Sequence, residues 1–456
     1  MFNEPASSFG DAGMIARRGG FSMIEDALDA QDTLYSDIRQ AIEDVLTVYD
    51  ERFAVGNEAE QQRARLVLMS TESHLLVTFS GRLRVDAERA YERLDAVFAE
   101  HDLLPIFREN SGGRGAPEIE YAPHMIYVVH GRVQPKQGGT VLSAVLFLLT
   151  VLSVTFVGSL MAIGQIGMDD PARATEMMQD PFAHLWRGWP YAFGILTILG
   201  AHELGHYFAA RYHRTAASLP YFLPFPFGIF GTFGAAIRLR EPMRNRKILL
   251  DIGAAGPLAG LVFAVPILLI GLATSPVAEM TGAGFVEGNS IIYALSKLII
   301  FGEVLPADGR DVFVNQLAWA GWTGLLVTGL NLIPVGQLDG GHILYALMGR
   351  FAKLMYFPIV VGMILLAFFV ARELAFFVVL IILLGNMHAV PLNDITPLDA
   401  RRRGVAVLSL VVFALVFVPN PLSVAESQTI LPPDGGRVTY LLPVFFIVLW
   451  QAVRRR

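Results

Sequence analysis

The 456-residue chain is 54% hydrophobic with a mean hydropathy of +0.49, above the roughly 45 to 50% apolar share of soluble domains, and it reads as a polytopic membrane protein. A net charge of -6 without a basic stripe excludes nucleic acid as a partner. No cysteine is present, which excludes disulfides, thiolate catalysis and cysteine-bound metal, so any metal must sit on His, Asp or Glu.

In chain order, residues 1–29 lack the uninterrupted apolar core of about 7 to 15 residues that a cleavable signal requires, and read as a disordered lead-in. Residues 30–133 have the composition of a soluble α+β domain, long enough at roughly 100 residues to bury its own core. Leu34, Ile38, Ile42, Val45 and Tyr49 recur at helical spacing, HLLVTFSGRL alternates as a strand, DAERAYERLDAVFAEH returns to helical period, and LLPIF and HMIYVVHG read as strands. After Lys136 come about eight hydrophobic spans, each needing roughly 17 to 25 residues to cross hydrocarbon. They fall near 138–163, 189–211, 248–273, 317–348, 354–371, 374–390, 404–420 and 438–453. The fifth and sixth are short and hinge at Arg372 and Glu373, which suggests one tight hairpin. NSIIYALSKLIIFG (289–302) is too short to span and carries Lys297, so it reads as interfacial. The chain thus divides into the lead-in, the soluble domain, a membrane core at 138–390 and a C-terminal transmembrane hairpin at 391–456.

The loop between the second and third spans holds Arg211, Arg214, Arg238, Arg240, Arg244, Arg246 and Lys247 against Glu241 alone. The positive-inside rule makes that loop cytoplasmic. Alternation then puts the soluble domain and both termini in the cytoplasm, in a cell (inner) membrane.

The second span contains AHELGHYFAA (201–210). HExxH on a helix sets His202 and His206 on one face, where both imidazoles can reach one zinc ion, with Glu203 beside them to handle a water proton. Groups this polar are costly in hydrocarbon unless paired or functional. A catalytic zinc usually takes three protein ligands, and the remaining acid in a suitable setting is Asp339, in NLIPVGQLDGGH (331–342). At about 1.5 Å per residue His202 lies roughly 14 Å from Arg211 and Asp339 roughly 16 Å from Arg350, so their depths agree. The fourth span is interrupted by Pro334, Gly336, Gly340 and Gly341; the competing reading of Asp339 is the N-cap of a restarted helix. Zinc with ionised Glu203 and Asp339 sums to zero charge, which limits the cost of burial.

YFLPFPFGIFGTFGAAI (221–237) is apolar, yet its prolines and glycines oppose a helix. It is expected to re-enter the membrane beside the zinc, where an exposed edge could pair with an unwound substrate as an added strand; a surface loop with an apolar plug is the alternative. Gly253, Gly256 and Gly260 permit close helix packing. Trp186, Trp189 and Tyr191 read as interface anchors, and His184, His342 and His388 as structural or rim residues.

These motifs together resemble the site-2 protease family of intramembrane zinc metalloproteases. HELGH (202–206) matches its first motif, NLIPVGQLDG (331–340) its Asn, Pro and Asp-Gly motif, and GPLAG (256–260) the motif of the intervening span, with GTFGAAI (231–237) similar to a segment that precedes it. The soluble domain and DITPLDARRR (394–403) look like the branch without a PDZ domain. The resemblance implies that His202, His206 and Asp339 bind one Zn2+, that Glu203 is the catalytic carboxylate, and that Asn331 orients substrate or stabilises the oxyanion. It implies an endopeptidase that hydrolyses a peptide bond within or near a transmembrane segment of a membrane-protein substrate in the bilayer. An ion-coupled transporter built on a broken helix and a non-catalytic zinc-binding scaffold remain the alternatives.

Overall fold

The computed structural model describes residues 34–53, 74–110, 121–132, 139–279, 284–370, 374–384 and 390–425. The lead-in at 1–29, the hinge at Arg372 and Glu373, His388 and the span at 438–453 lie outside these residues. The chain divides into two compact units, Met1–Arg132 and Val133–Arg456.

The first unit begins with a helix, α1 (34–45), that buries Ile38, Ile42 and Val45. The helix stops there, and β1 (Leu46–Phe53) carries Tyr49, which the helical spacing assigns to α1. The apolar positions Val45 and Tyr49 suit either period; the β-branched and aromatic run LTVY, paired antiparallel with β2 (His74–Leu83), decides for the strand. The Asp86 carboxylate accepts from the Glu88 backbone N–H and starts α2 (Ala87–Ala99), which buries Ala90, Tyr91, Leu94 and Phe98. β3 (Leu103–Glu109) and β4 (His124–His130) complete a four-stranded antiparallel sheet of order β1-β2-β4-β3. Pro105, which has no N–H to give, sits on the edge strand β3.

The second unit opens with α3 (Thr140–Asp169), longer than the span expected at 138–163. The stretch expected as loop at 164–188 is instead the end of α3, α4 (Pro171–Gln179) and a 3-10 helix at Pro181–Gly188. Asp170 and Asp180 cap the latter two, each followed by a proline whose missing N–H costs nothing at a helix start. Then come α5 (Trp189–Tyr212), a hairpin of β5 (Tyr221–Pro224) and β6 (Thr232–Ala236), and α6 (Arg246–Ala273). Beyond α6 lie β7 (Val277–Glu279), β8 (Gly284–Glu287), α7 (Ile291–Phe301) and β9 (Arg310–Val312). They are followed by α8 (Gln316–Asn331), α9 (Asp339–Met348), α10 (Phe351–Phe369), α11 (Ala375–Leu384), α12 (Ala400–Val416) and β10 (Leu422–Ala425), which pairs with β8.

Among the described residues three helices, α3, α6 and α10, are long and apolar enough to cross a membrane. α5 has 24 residues, a spanning length at 1.5 Å per residue, but carries His202, Glu203 and His206 in its second half. The fourth expected span is two helices, α8 and α9, separated by residues 332–338. The N-cap of α9 is Leu338, with no side-chain bond, and Asp339 is the first helical residue, so the carboxylate is not an N-cap.

Lys297 of α7 is turned into the protein. It is fully buried, with Nζ 3.2 Å from Glu287 Oε1, 3.2 Å from Asp311 Oδ1 and 3.2 Å from the Leu305 carbonyl. The carboxylates come from β8 and β9, elements too short to announce themselves in the sequence, and they tie α7 to both strands.

Candidate metal centre and active site

α5 holds its polar cluster against α6. His202, Glu203 and His206 are 3%, 4% and 6% exposed. The two imidazoles, one helical turn apart, approach with Nε2 to Nε2 at 3.2 Å. Asp339, at the start of α9, brings Oδ2 to 3.3 Å from each Nε2. Three donors from two separate helices therefore form a nearly equilateral triangle.

Tetrahedral coordination with bonds of about 2.0 to 2.2 Å has donor-to-donor edges of about 3.3 to 3.6 Å, so the triangle fits one face of a zinc tetrahedron and leaves the fourth corner open. His206 Nδ1 lies 2.7 Å from the Ile252 carbonyl of α6. A carbonyl only accepts, so Nδ1 carries the proton and the Nε2 lone pair is turned into the triangle.

Glu203 adjoins the cluster on α5. The backbone N–H of Ile237, just past β6, faces its carboxylate, while Oε2 is buried with no hydrogen-bond partner among the described residues. Asn331, the last residue of α8, has Nδ2 3.3 Å from His202 Nε2, at the rim of the triangle. The structure thus brings together all five residues singled out in the sequence. His342 lies outside the triangle and packs its Cβ toward Gly253 of α6. His184 is on the 3-10 helix. Trp186 and Trp189 are exposed, but Tyr191 is fully buried and donates to the Phe230 carbonyl at 2.8 Å, so it is an interior link and not an interface anchor.

Two contributions are not evident from spacing. One is Ile252, which acts through its backbone. The other is Gly256: a Cβ there would lie 2.1 Å from His206 Nε2, so α6 is a wall of the site as well as a packing partner. Its signal was the glycine run in GPLAG, which by itself indicates only close approach.

The segment 221–237 forms two short strands joined by turns and no helix, as its prolines and glycines favour. β5 and β6 pair in the register Tyr221↔Ala236, Phe222↔Ala235 and Pro224↔Thr232. The hairpin is pinned to α3 by Ser153 Oγ donating to the Gly231 carbonyl at 2.5 Å and by the Phe147 and Phe222 rings at 5.1 Å. Among the described residues β5 and β6 pair only with each other, so each strand has an unpaired edge.

Residues 190–371 match the model of Peptidase family M50. Over that stretch the chain is similar to the M50 peptidases. All five candidate residues and the GPLAG run lie inside the matched stretch, and the family is the one to which the motif resemblance points. Over 270 residues the chain is 30% identical to "Probable zinc metalloprotease EGY2, chloroplastic" of Arabidopsis thaliana, an alignment covering 57% of this chain and 47% of the relative. It is 33% identical over 238 residues to the protein of the same name from Oryza sativa subsp. indica, covering 51% and 42%. It is 26% identical over 373 residues to "Probable zinc metalloprotease EGY1, chloroplastic" of Arabidopsis thaliana, covering 75% and 66%. The chain spans about half the length of the EGY2 relatives it matches. No solved structure matches it. The relatives are named as zinc metalloproteases, and the donor triangle fits that metal.

Proposed function

We propose that the protein is an intramembrane zinc endopeptidase that hydrolyses a peptide bond within or near a transmembrane segment of a membrane-protein substrate. The observation that carries this reading is the triangle of His202, His206 and Asp339 with the Glu203 carboxylate beside it inside a hydrophobic helix bundle. Bound there, zinc supplies Lewis acidity that polarises a carbonyl and makes water acidic. Glu203, whose buried Oε2 is not otherwise engaged, takes the proton from the attacking water and delivers it to the leaving amine. The Ile252 carbonyl keeps the His206 ring in place, and Asn331 offers an amide at the rim for the substrate carbonyl. A transmembrane helix hides its carbonyls in its own hydrogen bonds, so the substrate must unwind first, and segments with helix-breaking residues are the expected substrates. The free edge of the β5–β6 hairpin, next to Glu203 through Ile237, can receive such an unwound stretch as an added strand.

The same reading assigns about eight spans, a cytosolic α+β domain over 30–133 after a lead-in at 1–29, a catalytic core over 138–390 and a C-terminal hairpin over 391–456. It puts both termini in the cytoplasm and the chain in a cell (inner) membrane; the basic loop between α5 and α6 supports that orientation.

The decisive variant is Glu203→Gln. It is expected to keep stoichiometric zinc and to lower cleavage of a membrane substrate by roughly 100-fold or more. Retained cleavage would end the hydrolase reading in favour of a transporter or a zinc-binding scaffold, neither of which needs a proton-transferring carboxylate at this position. The same variant, incubated with membranes, should co-purify with the segment it fails to cut.

A further inference from the structure

The run DITPLDARRR (394–403) lies outside the stretch that matches the M50 family, and the site chemistry makes no use of it. Its segment nevertheless bonds directly to two of the four helices around the metal centre, α6 and α9, and reaches the end of α5 through Asp251 of α6. The backbone N–H groups of Leu392 and Asn393 donate to the Met243 and Arg244 carbonyls at 2.9 and 2.7 Å, which lays the segment along the chain entering α6. Tyr345, on α9 with Asp339, donates its hydroxyl to Asp394 Oδ2 at 2.9 Å. Asp399 starts α12 by accepting from the Arg402 backbone N–H at 2.9 Å, and accepts again from Arg402 Nη1 at 2.6 Å. The rest of that guanidinium forks onto Asp251 of α6, Nε at 2.9 Å from Oδ1 and Nη2 at 2.6 Å from Oδ2. Asp251 Oδ2 also lies 2.9 Å from Nε2 of His213, the residue that ends α5.

We propose that segment 390–402 is a clamp on the metal centre, with Asp394 and Arg402 as positioning residues that set how tightly the triangle of His202, His206 and Asp339 holds its metal. The ligands come from α5 and α9, and α6 supplies the wall between them. Asp251 is the neighbour in sequence of Ile252, whose carbonyl orients His206, so the Arg402 fork fixes both the distance and the direction of that carbonyl. α9 has only 10 residues and follows an irregular stretch, so tertiary contacts place its first residue. Tyr345 to Asp394 is one such contact, and Arg246 Nε to the Ala346 carbonyl at 3.0 Å is another. Partners that orient metal ligands are typically worth about 10- to 100-fold in metal affinity. The proposal rests on the metal-site reading and extends it to residues that the M50 match does not include.

The test uses the full chain in detergent, with Arg402→Gln and Tyr345→Phe, zinc affinity measured by competition with a chromophoric chelator, and the visible absorption of the Co2+-loaded protein as a reporter of ligand geometry. Arg402→Gln is expected to weaken zinc by about 10-fold or more, Tyr345→Phe by a smaller factor, and both to change the Co2+ spectrum. Arg402→Lys, which keeps the charge, should recover part of the loss. Asp251→Asn together with Arg402→Gln should weaken zinc no more than the worse of the two alone, because both remove one link. Unchanged affinity and spectrum in folded variants, even with a lowered Tm, would overturn the clamp. If Arg402→Gln does not fold, Tyr345→Phe, which loses a single hydroxyl, decides the matter. A wild-type chain that binds no zinc overturns the metal-site reading and the clamp with it, a result distinct from wild-type binding that the variants share.

Discussion

His206 shows how much of the site a single residue concentrates. Its Nε2 faces Asp339 at 3.3 Å, its Nδ1 faces the Ile252 carbonyl at 2.7 Å, and Gly256 passes so close that no Cβ fits. Gly256→Ala would drive a methyl group into Nε2, so zinc content measured by atomic spectroscopy is expected to fall below about a tenth of wild type, as when a ligand partner is displaced. Gly260→Ala, whose added Cβ would meet His202 Cβ at 3.3 Å, needs only a small adjustment and should retain most of its zinc. The candidate ligands were legible in the sequence because HELGH sets two of them within one turn of helix, and Asp339 follows from the need for a third donor at equal depth. Ile252 was not legible, since its role belongs to a carbonyl that any side chain could accompany. Tyr191 was misread because its neighbours α3 and the Phe230 carbonyl, which bury it, are distant in sequence.

Between residue and molecule, the β5–β6 hairpin and α7 are the elements with the clearest consequences. Adjacent strand residues turn their N–H groups to opposite sides, so of Ala235→Pro and Ala236→Pro one removes an inward bond and the other an outward donor. The outward change is expected to raise KM several-fold for a transmembrane substrate while zinc content stays intact; equal, unchanged KM values in both variants would remove the hairpin from substrate binding. In α7, Lys297→Met leaves Glu287 and Asp311 buried without their cation, and unfolding should show a loss of about 3 to 5 kcal/mol. α2 was legible from its helical period, and α5 and α6 from apolar runs of spanning length. The boundary of α1 and β1 was missed because Val45 and Tyr49 suit either period, and β8 and β9 were missed because their carboxylates meet Lys297 only through tertiary folding.

For the whole chain, the proposed orientation across the membrane rests on the charge asymmetry of the loops. The basic stretch between α5 and α6 faces the cytoplasm in this account, so a reporter fused after residue 280 should read as non-cytoplasmic; a cytoplasmic reading would invert the topology. The match to the M50 family covers residues 190–371, yet the bonds from Arg402 to Asp251 bridge 151 positions to tie α12 to α6. Such long-range links carry no periodic signal, which is why DITPLDARRR could be noticed in the sequence but not assigned a task. The central claim remains the convergence of His202, His206 and Asp339 on one ion. X-ray absorption at the zinc edge on the purified full chain, with and without Asp339→Ala, measures it most directly. The account predicts one zinc per chain, two imidazole nitrogens and a carboxylate oxygen at about 2.0 to 2.2 Å, and loss of the metal in the variant; stoichiometric zinc with an unchanged shell in Asp339→Ala would contradict it.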